Sequence, residues 1–293
     1  VPVATEIGGQ DKDLGGGFRV RRLLPALARQ AVGPFLFFDH FGPVTVTPGM
    51  DLDVRPHPHI GLATVTYLFA GAMLHRDNLG YVQRIEPGAV NWMTAGRGIV
   101  HSERRPPDLA DRSYALHGLQ LWAALPRPLE EADPAFVHTP AASIPEVALG
   151  AARARVLVGT AFGATSPVVA AAPTLYVDLH LDAGGELVVP PLAGELALYP
   201  IDGTVIVDGR AVSRHTLAVL DAERPFRLAV ARTTRLALIG GDPLDGRRHL
   251  WWNFVSSRRE RLVSAATDWE ARRYAPIDGD DSSIPLPERR PTA

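Results

Sequence analysis

Glycine and proline divide this chain into apolar stretches too short for helices. The 27 Gly and 26 Pro recur around "GPFLFFDHFGP", "GLATVTYLFAG", "GAVNWMTAG" and "LHGLQLWAALP". Each stretch has the length of a strand, and several alternate with period two. Glycine admits positive φ and proline presets φ for a turn, so this punctuation builds hairpins. Asn78-Leu79-Gly80 and Glu86-Pro87-Gly88-Ala89 supply turns on either side of "YVQRI", and Asp208-Gly209 marks a further hairpin. The pattern predicts an all-β chain folded as a sandwich or barrel.

A chain of 293 residues can bury a sizeable core and is long enough for two such modules. Proline and small residues crowd the stretch from Pro126 to Pro145, which reads as a connection from one module to the next. A second β pattern follows, through "TLYVDLHLDAGGELVVP" and "GELALYPIDGTVIVDGRAVS" to "TRLALIGG". Sliding one module over the other by 132 residues sets Tyr67 on Tyr199 and Gly71 on Gly203, a weak internal repeat. The expected domains are therefore residues 1–140 and 141–293. From Ser256 to about Arg273, a serine cap signal and the spacing of Leu262, Ala265, Ala266 and Trp269 predict a helix. The polar, Pro-rich tail from Pro276 onward is expected to be an extended arm or disordered.

Composition excludes several functions. The formal net charge is −2, with 30 basic and 32 acidic residues, so no basic field supports direct nucleic-acid binding. Cysteine is absent, which removes disulfides, thiolate nucleophiles and iron–sulfur clusters; any metal must be held by His, Asp, Glu or backbone oxygen. No secretory signal pattern and no run of 18 apolar residues occurs, so no membrane association and a cytoplasmic location are expected.

Against this background two short segments stand out, "RPHPHIG" at residues 55–61 and "GIVHSE" at residues 98–103. Side chains at i and i+2 of a strand share a face, so His57 and His59 point one way, as do His101 and Glu103. If the two segments are neighbouring or facing strands, three imidazoles and one carboxylate converge as a metal site. Pro56 and Pro58 suit strand starts and edges and stiffen the backbone. Gly96 and Gly98 allow a tight approach before the second pair. An isolated His-x-His pair is commonly structural, but two such pairs in one cysteine-free β module favour a metal.

Other candidates are weaker. Alternation turns Ser102 away from the ligand face, which argues against a nucleophile. Gly15-Gly16-Gly17 and Gly96-x-Gly98 do not complete a phosphate-loop spacing. His75 and Asp77 share a face and suit either a place behind the ligands or the end of a hairpin. His117, His138, His180, His215 and His249 are scattered and read as structural.

These motifs resemble the pirins, a family of the cupin superfamily. The matching text is "RPHPHIGLATVTYLFAGAMLHRD", "EPGAVNWMTAGRGIVHSE", then "LIGGDPLD", "WW" and a terminal helix. The resemblance covers most of the chain and is strongest from about Phe35 to Glu103. In most cupins a glutamate follows the first two histidines; here Ala63 or Thr64 occupies its place and the carboxylate is Glu103, as in pirins. The resemblance implies two cupin-type β-barrels (a bicupin) with a C-terminal helix. It further implies His57, His59, His101 and Glu103 as ligands of one divalent metal in the first barrel, and a metal-free second barrel. Iron, as Fe(II), is the ion it implies, while the ligand types alone also admit Mn, Co, Ni, Cu or Zn.

Some pirins are similar in activity to quercetinases, which open flavonols with dioxygen and release carbon monoxide. That likeness implies a small aromatic or enol substrate, O₂ as co-substrate, and Glu103 as both ligand and general base. An apolar lining from "FLFFDHF" and "NWM" is expected to suit a flat aromatic molecule. The alternative implied by the family is a non-catalytic iron-binding regulator of a transcription factor or metabolic enzyme, which calls for a protein partner.

Overall fold

The period-two stretches form antiparallel strands, and glycines with positive φ make many of the turns between them. The computed structural model describes residues 3–14 and 18–292. Gly15-Gly16-Gly17 therefore lies outside the described residues.

The chain divides into two compact units. One comprises Lys12–Val20, His40–His138 and the chain from Asp245 onward; it carries the histidine motifs. The other comprises Arg21–Asp39 and Thr139–Leu244, with the N-terminal segment ending at Asp11. This division interleaves the ends of the chain, whereas the sequence expectation, 1–140 and 141–293, is linear. Pairing at long sequence separation explains the difference. Strand Val3–Gly8 joins Thr216–Leu220, Ile7 opposite Leu217, while the C-terminal helix buries its apolar face on Ile60 and Phe254.

In the histidine unit a four-stranded sheet runs in the order Val54–His59, Ile99–Arg104, Met73–Asp77, Val82–Ile85. A second sheet contains, as neighbours, Ala135–Thr139, Val90–Thr94, Leu62–Ala70 and Tyr114–Ala124. The two layers share an apolar core that includes Met73 and Ile85 from the first sheet and Leu68 and Leu116 from the second.

The other unit repeats the plan. Its four-stranded sheet runs Glu186–Val189, Phe226–Ala229, Thr204–Val207, Arg210–Ser213, packed on a seven-stranded sheet centred on Thr234–Gly241. The expected barrels are thus realised as pairs of open sheets. The weak repeat acquires a structural meaning: Tyr67 and Tyr199 are each fully buried in the larger sheet of their own unit, followed by Gly71 and Gly203 at positive φ. At Asp208-Gly209 both residues take positive φ, as a tight hairpin requires.

The C-terminal helix spans Arg259–Glu270 and buries Leu262, Ala265 and Ala266. Its N-cap is Arg258 without a side-chain cap, so the expected serine cap is not formed. The Ser256 and Ser257 hydroxyls donate instead to buried Glu130. Beyond the helix the tail is an extended arm: the Ile284 N–H donates to the Pro56 carbonyl (2.9 Å), and Arg104 pairs with Asp280. Among the described residues no helix is long and apolar enough to cross a membrane.

Candidate metal centre

Strands Val54–His59 and Ile99–Arg104 are antiparallel neighbours with His101 directly opposite His57. The pairing slips between His101 and Glu103, which faces Val54, so the bulge falls at Arg55 and Pro56. A bulge is where proline, lacking an N–H, costs least.

Alternation puts His57, His59 and His101 on one face, all buried. Their ring centroids lie 4.4 Å (His57–His101), 4.9 Å (His57–His59) and 5.0 Å (His59–His101) apart. One ligand nitrogen from each falls within 4.8 Å of the other two, so the three histidines can hold a metal ion.

Hydrogen bonds fix two of the rings. The Nδ1–H of His57 donates to the Arg55 carbonyl (2.9 Å) and that of His59 to the Asn253 carbonyl (3.2 Å). A carbonyl only accepts, so Nδ1 carries the proton and Nε2 keeps its lone pair. His101 differs, since both its ring nitrogens are buried without a hydrogen-bond partner. An orphaned buried polar group costs about 1–3 kcal/mol, which a metal bond at this position would offset. The donor set therefore fits a divalent ion.

Burial sets the charge state. It lowers the His57 pKa to about 4, against the opposing hydrogen bond to Arg55, and holds His59 and His101 well below the usual imidazole range. All three rings are neutral near pH 7, the form that binds metal. Glu103 is half-buried, and desolvation pushes its pKa up to about 7. The group of donor atoms within 4.8 Å comprises the three histidines, and Glu103 stands outside it.

His75 and Asp77 lie in the interior rather than at an exposed hairpin end, both nearly inaccessible. Asp77 faces His101 and His75 faces Glu103 across the sheet. His75 Nε2 lies 2.8 Å from Asp77 Oδ2, and its ring stacks on Phe136 with centroids 4.1 Å apart. Ser102 points away from the ligand face and is fully buried.

For the phenylalanines of "FLFFDHF" the expected apolar lining meets other partners. Phe35 and Phe38 pack on Tyr176 and Tyr199, and Phe41 on Phe18. A ring that does stand against a site histidine is Trp122, edge-on to His59 at 5.0 Å. Trp122 was hidden in the ordinary strand pattern "LQLWAA", where a core reading fits equally well.

In the second unit the slide of 132 residues sends His57 to Val189, which lies directly opposite Phe226. Both belong to the apolar core there, and neither offers a ligand atom.

A family model described as Pirin matches residues 17–123, and one described as Pirin C-terminal cupin domain matches residues 176–275. A pirin-like protein of Caulobacter vibrioides is 44% identical over 281 residues, covering 94% of this chain and 96% of that protein. Pirin of Rattus norvegicus is 31% identical over 275 residues, covering 91% of each. The crystal structure of quercetin 2,3-dioxygenase from Acinetobacter baumannii aligns with a TM-score of 0.90 at 36% identity, covering 97% of this chain and 96% of that one.

Proposed function

The chain belongs to the pirin family, with its two-domain cupin fold, and from that premise we propose that it is a metal-dependent dioxygenase of the quercetinase type. In this reading His57, His59, His101 and Glu103 hold one divalent ion, with Fe(II) the expected metal. The substrate is a flavonol or another small aromatic enol, and O₂ is the co-substrate. The observation that carries the reading is His101, buried between two oriented histidines with neither ring nitrogen satisfied.

When bound, the ion supplies Lewis acidity and open coordination positions for oxygen ligands. The protein's own groups do the rest. Arg55 and Asn253 lock the tautomers of His57 and His59, so both present Nε2 without reorganisation. Glu103, held as the carboxylate by the ion it would ligate, could accept the proton of an enolic hydroxyl on its oxygen. Trp122, itself buried, packs edge-on against one side of buried His59.

The test is aerobic turnover of quercetin by protein loaded separately with Fe(II), Mn(II), Co(II), Ni(II), Cu(II) and Zn(II), with metal content assayed. Loss of the flavonol absorption band with carbon monoxide release, abolished in Glu103→Ala, supports the dioxygenase. Stoichiometric metal without turnover of any flavonol rejects it and favours a regulatory iron protein with a protein partner.

A further inference from the structure

His57 takes its carbonyl from its own strand, whereas His59 takes one from Asn253, 194 residues away. The Asn253 carbonyl sits in the turn of a hairpin formed by His249–Trp251 and Phe254–Ser256. Trp252 in that turn has a φ of 52°, a left-handed conformation unfavourable for a large side chain and kept only where its surroundings impose it.

Those surroundings are specific. Phe254 is fully buried beside Ile60, and the Val255 N–H donates to the Ile60 carbonyl (3.1 Å). Both ends of the hairpin then converge on one carboxylate. Arg248, just before the first strand, is fully buried with its Nε 2.8 Å from Glu130 Oε1, and also pairs with Asp245. At the end of the second strand, Glu130 accepts from the Ser257 N–H (2.8 Å), the Ser257 hydroxyl (3.0 Å) and the Ser256 hydroxyl (3.1 Å). Arg248 Nη2 donates to the Leu125 carbonyl (2.8 Å), and the Leu125 N–H donates to the Gly61 carbonyl (3.1 Å), which returns the chain of bonds to two residues beyond His59.

We propose that the buried Arg248–Glu130 pair is a positioning device for His59, acting through the Trp252–Asn253 turn. A buried ion pair is a poor source of net stability, since its desolvation offsets its attraction; what this pair supplies is a fixed network, through Glu130, Leu125, Asp245 and Ser257, that holds both ends of the hairpin. The geometry so held is the aim of a backbone carbonyl at a ring nitrogen. Arg248 and Glu130 touch neither the metal nor substrate in this reading, so they are positioning residues. The inference rests on the proposed metal site.

The experiment uses the full chain and Co(II). Binding is measured by chelator competition, and the exchangeable Nδ1–H signals of His57 and His59 are followed by paramagnetic NMR, with Glu130→Gln, Arg248→Met, Arg248→Lys and Ser257→Ala compared with wild type. In the folded variants Co(II) affinity is expected to fall roughly 10- to 100-fold, least in Ser257→Ala. The His59 ring N–H should shift or exchange faster while that of His57 is retained, and Arg248→Lys should recover part of what Arg248→Met loses.

Unchanged affinity with an unchanged His59 signal overturns the proposal, as does equal loss of both ring signals, which marks general loosening. If the charged-pair variants fail to fold, Ser257→Ala alone decides, since its His59 signal either exchanges faster or does not. The metal reading fails separately if wild type binds no Co(II), or if binding survives His101→Ala.

Discussion

His101 lies directly opposite His57 across one antiparallel strand pair, and their ring centroids are 4.4 Å apart. His57 is tied to the Arg55 carbonyl, while His101 makes no hydrogen bond through either nitrogen. Two rings in one ladder position thus differ in kind, one oriented by a hydrogen bond and one with neither nitrogen hydrogen-bonded.

That difference sets an expectation for stability. Replacing His101 by Leu removes two buried unpartnered nitrogens at similar volume, so the metal-free protein should be unchanged or more stable by about 1–2 kcal/mol. Metal binding should be lost. Urea unfolding of chelator-treated proteins, with metal analysis of loaded ones, checks both; a loss of stability without metal would show that the ring is structural.

A pH dependence follows from His57. Its folded pKa is about 4 against 6.5 in the unfolded chain, with burial the main cause. Between those values the unfolded chain binds the extra proton, so stability rises with pH. The metal-free protein should lose stability as pH falls from 6.5 towards 4, and His57→Gln should flatten that fall. Urea midpoints at pH 7.5 and 5 decide it.

Glu103 has the opposite sign. Burial raises its folded pKa to about 7 from 4.5, so the folded state keeps a proton that the unfolded chain releases. Stability from this group is present at low pH and lost as pH rises from 4.5 through 7. Glu103→Gln should therefore stabilise the metal-free protein at pH 8, by about 1–2 kcal/mol for a half-buried carboxyl, with the gain vanishing near pH 4. Equal effects at both pH values would refute the assignment.

Gly61 should tolerate no side chain. It has φ of 69°, and a Cβ there would come 1.9 Å from the Val255 carbonyl oxygen of the hairpin. Gly61→Ala is expected to destabilise by about 3 kcal/mol or more, through backbone strain and the displaced hairpin. Thermal unfolding of the variant measures this; a shift within experimental error would mean that the hairpin yields freely.

The convergence of His57, His59 and His101 was legible because it rests on short spacing, although Glu103 stands outside the group of donor atoms. His57, His59, His101 and Glu103 sit at i, i+2 intervals in two strands, and the pleat converts that interval into a shared face. The helical positions Leu262, Ala265 and Ala266 were legible for a similar reason, since their spacing follows the helix period. Ser256 misled because its hydroxyl oxygen accepts from the Arg258 N–H, short of the helix, while its proton goes to Glu130, so it lies too early in the chain to cap Arg259–Glu270.

The sequence by itself determined the all-β class, the turns, the absence of thiolate chemistry and which side chains can meet a metal, because alternation and turn chemistry are local properties of the chain. Tertiary structure alone decided that the C-terminal hairpin, helix and tail join the histidine unit, that Trp122 rather than Phe35 or Phe38 stands against the site, and that Asn253 orients His59. The physical reason is the nature of those contacts. Buried apolar faces are interchangeable in a sequence, and a backbone carbonyl belongs to every residue, so only the folded path shows which one arrives.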